Sequence, residues 1–180
     1  MENEEVLNRL FELKKQYQIE IGLSASGSNQ NEIILKALDI KINDVELFDV
    51  FQITFNVFDQ SLFDLEKELK NRNKKVIIKE VLANGRIFPN HRYVHYTKAY
   101  QLLKELAQKY KVGVDAICLR FCMDILRPYL VLSGAIEQEH LVSNLQAKSI
   151  CLAEEDLVKL KELAVFPENY WKERKELDWN

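Results

Sequence analysis

Four short apolar stretches, each joined to the next through helical patterns, constrain this chain more than any other feature. They are Ile19-Glu20-Ile21-Gly22-Leu23, Val50-Phe51-Gln52-Ile53-Thr54-Phe55, Lys75-Val76-Ile77-Ile78-Lys79 and Tyr129 to Leu132. Before the first, Val6, Leu7, Leu10, Phe11 and Leu13 recur at helical spacing. Between the stretches, Asn29 with Glu32 three residues on reads as a capping box for a helix through about Leu38. Ser61 with Asp64 opens a helix from Leu62 to about Lys70. Thr97 to Lys109 and Val114 to Leu126 are amphipathic, and the second stops just before Pro128. Two more helices are expected from Glu137 and from Glu154, then an aromatic tail through Tyr170, Trp171 and Trp179; Lys41 to Leu47 reads as a polar excursion. Strands connected by helices lie parallel, because a tight turn cannot return the chain in the same direction. The β-branched run at Lys75 to Lys79 predicts a strand buried on both faces. Right-handed crossovers then leave a doubly wound sheet or a barrel, and the pattern does not choose between them.

With 180 residues, 47% of them hydrophobic, the chain has material for one core, so residues 1–180 are read as a single domain. Its formal net charge is -3, and Lys and Arg are interspersed with Asp and Glu, which argues against a nucleic-acid partner. No apolar run approaches the roughly 18 residues of a membrane span. Met1-Glu2-Asn3-Glu4-Glu5 is acidic where a secretory signal would be basic, so a cytoplasmic location is expected. Cys118, Cys122 and Cys151 all stand among apolar neighbours and are read as buried structural thiols rather than metal ligands; no metal is expected.

The stretch from Val131 to Asn144 reads as a strand end, a glycine turn at Ser133-Gly134 and a helix start. Such a turn admits close backbone approach to a ligand, and the helix offers free N–H groups to an anion. Residues Glu80 to Tyr96 form a loop of about 17 residues, longer than a structureless connection in a compact domain, and are a functional-loop candidate.

Four motifs fall in the order of the aldo-keto reductase family. Ile21-Gly22-Leu23-Ser24 resembles its "IGvSN" strand, Phe51 to Asn56 its "vQveyN" strand, and Val81-Leu82-Ala83-Asn84-Gly85 its "PLasG" turn. Ser133-Gly134-Ala135 with Asn144 is similar to its "GarnveqleeN" pattern. The resemblance covers roughly residues 5 to 165 and implies a parallel TIM-barrel-like α/β fold in partial form, strands five to eight of a (β/α)8 barrel.

What the resemblance implies for function is the cofactor-binding half of an NAD(P)H-dependent oxidoreductase acting on carbonyl or alcohol substrates. Its Tyr, Lys, Asp and His tetrad belongs to the first half and has no counterpart here. Tyr17, Tyr93, Tyr96, His91 and His95 lie in the wrong elements, the two histidines in a polar loop where solvated residues are expected. The chain alone is therefore not expected to reduce carbonyls. Carried over, Ser24 and Gln52 hold the nicotinamide carboxamide, Lys79 at the end of the third strand and Leu82 just after it are also assigned to the cofactor, and Ser133, Gly134, Ala135 and Asn144 hold the adenosine end. Each has a blander reading as an ordinary strand-end or turn residue.

Several positions depart from the family. Ala25 replaces an Asn, Lys79 an aromatic that stacks on the nicotinamide, and Val81 a proline. Lys79 is either an ion pair with Glu80 or a pyrophosphate contact. Ile136 stands where relatives that take the 2'-phosphate often carry Arg, and Glu137 follows it, which tilts the expected cofactor from NADP toward NAD. A half barrel leaves two unpaired strand edges and an open inner face, so a homodimer or a separate N-terminal half is the expected partner, beside the nicotinamide dinucleotide and a small carbonyl substrate. The alternative is a non-catalytic half-barrel binding or assembly protein, or a remnant.

Overall fold

A computed structural model describes residues 3–177; Trp179 of the expected aromatic tail lies outside them. The helices are α1 (Glu4–Tyr17), α2 (Gln30–Leu38), α3 (Glu66–Asn71), α4 (Thr97–Tyr110), α5 (Val114–Leu126), α6 (Gln138–Leu145), α7 (Glu154–Lys161) and α8 (Pro167–Lys175). The strands are β1 (Gly22–Ser24), β2 (Lys41–Ile42), β3 (Val45–Glu46), β4 (Val50–Thr54), β5 (Lys75–Lys79) and β6 (Leu130–Val131).

The main sheet is parallel, in the order β1-β4-β5-β6. Each strand is added on the same side of its predecessor, which a doubly wound sheet does not do. With right-handed crossovers, this winding places the connecting helices on one face. Phe51 and Ile53 of β4 and Ile78 of β5 are accordingly buried in one core with Ile34, Leu38 and Leu103 from the helices. The opposite face is open: Gly22, Ser24, Leu130 and Leu132 are exposed, while Gln52, Lys75, Ile77 and Lys79 are only partly covered. The expectation that Lys75 to Lys79 is buried on both faces is thus corrected. Only Ile78 is fully enclosed, because among the described residues no second layer covers the other side.

Other local expectations shift for identifiable reasons. Lys41 to Leu47 is a small antiparallel hairpin, β2 against β3, turned by Asn43 and Asp44, both with positive φ. Asn29 is the N-cap of α2 but makes no side-chain cap bond, its ψ of 17° not being extended. Ser61 begins a 3-10 turn (Ser61–Leu65) rather than α3, and is itself held by Asp59 Oδ1, which accepts from Ser61 Oγ at 2.7 Å. Cys118 and Cys122 are buried, but Cys151 is exposed, since it precedes α7 on the surface instead of facing the core.

Candidate functional site

In parallel α/β sheets ligands gather at the C-terminal strand ends. Register pairs Ser24 of β1 with Gln52 of β4, and Thr54 of β4 with Lys79 of β5; Ser24, Gln52 and Lys79 thus share one end of the open face, while Thr54 is fully buried. Ser24 Oγ donates to Gln52 Oε1 at 3.0 Å, and Lys79 Nζ donates to Ser24 Oγ at 2.9 Å and Ser26 Oγ at 2.7 Å. Three residues picked out from sequence are thereby joined in one chain of hydrogen bonds. Ser26 joins them without any family motif to mark it; its signal is the Ser24-Ala25-Ser26 spacing, which places two hydroxyls around one buried alanine.

Of the two readings of Lys79, the ion pair with Glu80 is not formed. Glu80 has φ 56°, which turns its side chain toward α8, where Oε1 accepts from Arg174 Nη2 at 2.6 Å. Lys79 therefore meets hydroxyls only, and burial pushes its ammonium below the usual lysine range; Glu80 opposes this and Arg174 adds to it.

A second group lies at the end of β6. Gly134 has φ +66°, in the left-handed region open to glycine, and Ser133 Oγ accepts from Ala135 N at 3.2 Å to close the turn. Asn144 of α6 is buried; its Nδ2 donates to Ser133 O at 3.3 Å, while its Oδ1 is buried without a partner. Ser133 and Asn144 line a cavity of about 520 Å³ with Leu141 and Leu145. Ile136 is 92% exposed. Leu82 packs half-buried on the core, and no hydrogen bond among the described residues joins this group to Ser24, Gln52 and Lys79.

The segment from Glu80 to Tyr96 is not a structureless loop. It carries two 3-10 turns, Ala83–Gly85 and His91–Tyr96, and sends Val81, Ile87, Tyr93 and Tyr96 into the core. Tyr96 stacks on Phe58 with ring centroids 4.1 Å apart and donates to Glu173 Oε2 at 2.8 Å; burial first, then this bond, pushes its phenol well above the usual range. His91 and His95 are both exposed, as expected, and His95 is also bonded to Glu173 Oε1 at 2.8 Å. Asn56 closes this side, donating to Tyr170 Oη at 2.9 Å. Among the described residues no cluster of His, Cys, Asp and Glu is arranged to hold a metal, and no helix is long and apolar enough to cross a membrane.

A family model, the aldo/keto reductase family, matches residues 2–165. The chain belongs to the aldo-keto reductase family. No curated protein matches its sequence. Among solved structures it is similar to the aldo-keto reductase AKR11C1 from Bacillus halodurans in its apo form, with TM-score 0.72 and 18% identity over 92% of this chain and 58% of that one. It is also similar to the thermostable aldo-keto reductase Tm1743 in complex with the inhibitor epalrestat (TM-score 0.66, 22% identity, 87% of this chain and 53% of that one). A variant of Gox0644 in complex with NADPH matches with TM-score 0.65 and 18% identity, covering 88% of this chain and 52% of that one. At such identity the likeness is one of fold. This aldo-keto reductase chain spans about half the length of the solved structures it matches.

Proposed function

We propose that this chain is the dinucleotide-binding half of an NAD(P)-dependent aldo-keto reductase, corresponding to strands five to eight of the barrel. The observation that carries the reading is the hydrogen-bonded set Ser24, Gln52 and Lys79 at the C-terminal ends of adjacent parallel strands. The donor chemistry fits a nicotinamide carboxamide, which needs both a donor and an acceptor, and Gln52 and Ser24 offer both. The orphaned Oδ1 of Asn144 fits an amino group at the other end of such a ligand. A nicotinamide supplies or accepts the hydride for a small carbonyl or alcohol substrate; the residues of this chain bind and orient it. The exposed Ile136 beside Glu137 offers no guanidinium to a 2'-phosphate, which favours NAD over NADP. Val81 and Ala135 complete the turns beside Leu82 and Gly134, and the reaction is assigned to the cytoplasm.

Carbonyl reduction in this reading requires a complementary half that supplies the acid-base tetrad. Titration with NADH and NADPH, followed by protein fluorescence, tests it. Binding of NADH at least as tight as NADPH is expected, with Gln52→Ala weakening it by about tenfold, the worth of one good hydrogen bond. Absence of binding to either dinucleotide, with and without a complementary half, overturns the reading.

A second reading is a non-catalytic half-barrel assembly protein. The open face and the outer edges of β1 and β6, unpaired among the described residues, favour it. In either reading the partner is a second copy or a separate N-terminal half, and a monomeric chain at micromolar concentration in sedimentation would remove the homodimer.

A further inference from the structure

Strand β5 presents two lysines on the same open face, Lys75 and Lys79, and their surroundings are opposite. They stand four residues apart, roughly 13 Å along the strand. Lys75 Nζ is ion-paired with Glu20 at 2.7 Å, and that bond, the first of several causes, holds its ammonium above the usual range. Lys79 Nζ has only the Ser24 and Ser26 hydroxyls, and among the described residues no carboxylate lies within ion-pair distance of it. The one acidic neighbour in sequence, Glu80, is occupied by Arg174. Burial first, with Arg174 adding to it and Glu80 opposing, makes the Lys79 ammonium surrender its proton more readily than an exposed lysine, and a neutral lysine amine is a carbon nucleophile.

We propose that Lys79 is a carbonyl-binding amine, condensing with small hydroxyaldehydes at the C-terminal ends of β1, β4 and β5. The geometry supplies each part of the step. The Nζ lone pair adds to the carbonyl carbon, forming the C–N bond as the carbonyl π bond breaks. The oxygen takes a proton that leaves nitrogen through the Ser26 or Ser24 hydroxyl. Loss of one water then gives the imine, with no net oxidation or reduction. Gln52 orients the site: its Oε1 is engaged by Ser24, which leaves its amide N–H groups to donate to the carbonyl oxygen. The exposed hydroxyls of Ser24 and Ser26 select an aldehyde that itself carries hydroxyls. This activity goes beyond the dinucleotide reading and does not depend on it.

The test uses the full chain with glycolaldehyde and sodium cyanoborohydride near neutral pH, without dinucleotide, so that its outcome is independent of cofactor binding. The reductant traps each imine as a secondary amine, and peptide mass mapping reports the rate at every lysine. Lys79 is expected to be modified several-fold faster than exposed lysines such as Lys67 and Lys98. Ser26→Ala is expected to slow modification at Lys79 while leaving Lys67 unchanged, with an unaltered circular dichroism spectrum as the control for folding. Equal rates at Lys79 and Lys67, or no slowing at Lys79 in Ser26→Ala, overturn the proposal.

Discussion

Arg174 of α8 holds Glu80, the residue that follows β5, through Nη2 and Nε at 2.6 and 3.2 Å from one carboxylate oxygen. The other carboxylate oxygen accepts from Tyr170 Oη at 3.4 Å. Glu80 and Arg174 keep side-chain exposures of only 10% and 23%, so removing one partner leaves a charge poorly solvated. Glu80→Gln is expected to cost about 2 kcal/mol at pH 7, discounted from a fully buried pair for the exposure that remains. Urea unfolding checks it: a loss below a few tenths would mean that the pair is solvated in practice.

Asp156, at the start of α7, accepts from Lys109 Nζ at 2.7 Å and from Tyr110 Oη at 2.6 Å. Burial pushes its carboxyl up, but the bonds from Lys109 and Tyr110 more than offset this and leave it below the usual aspartate range. A carboxyl lowered in the folded state contributes stability that is present above its unfolded value and lost as pH falls through its folded one. Asp156→Asn should therefore cost about 2 kcal/mol at pH 7, typical of charge-assisted bonds. The gap from the parent chain should close progressively below about pH 4, near the unfolded aspartate value. Thermal melts across that range decide it; a gap that stays constant would show that packing, not charge, is what Asn disrupts.

Gly113 precedes α5, and a Cβ there would stand 2.2 Å from Asp115 Oδ1 and 2.6 Å from Ser143 Oγ. Those two atoms are hydrogen-bonded to each other at 2.8 Å and tie α5 to α6. Its φ of -72° is ordinary, so the restriction is space and not conformation. Gly113→Ala is expected to cost about 1–3 kcal/mol by displacing Asp115. In a double-mutant cycle with Ser143→Ala the two losses should be clearly less than additive, because both break the same link. Full additivity would place the cost elsewhere.

Phe121 of α5 stacks on Phe55 just beyond β4, with centroids 5.9 Å apart and planes 9° from parallel, and both are fully buried. Phe121→Ala should cost about 3–5 kcal/mol, the range for emptying a large buried site. Chemical denaturation would report it as a shift in midpoint with an unchanged slope.

The strands and helices were legible because their patterns are local: β-branched runs such as Val76 to Ile78, and the amphipathic repeats of Thr97 to Lys109 and Val114 to Leu126. The grouping of Ser24, Gln52 and Lys79 was legible through a family pattern rather than through the residues by themselves. What stayed hidden depends on partners distant in sequence. The Glu80 side chain cannot be assigned to Arg174 instead of its neighbour Lys79 without knowing where α8 packs. The partial exposure of β5 follows from a face that no second layer covers among the described residues, which its apolar composition does not reveal. The Asn43-Asp44 hairpin escaped because its strands are two residues each, too short for alternation to register.

The turn after β5 carries Glu80, Ala83 and Asn84 in left-handed backbone, at φ 56°, 48° and 54°. Only Asn among these adopts that region readily, and such conformations persist where surrounding contacts over-determine them. Those contacts arrive late: Arg174 reaches Glu80 across 94 residues, and Arg86 Nη1 donates to the Tyr170 carbonyl across 84. The turn thus reaches its final geometry only after the C-terminal helix docks. During synthesis, the turn beside the candidate site therefore waits for α8, made about 90 residues later, before its geometry is fixed.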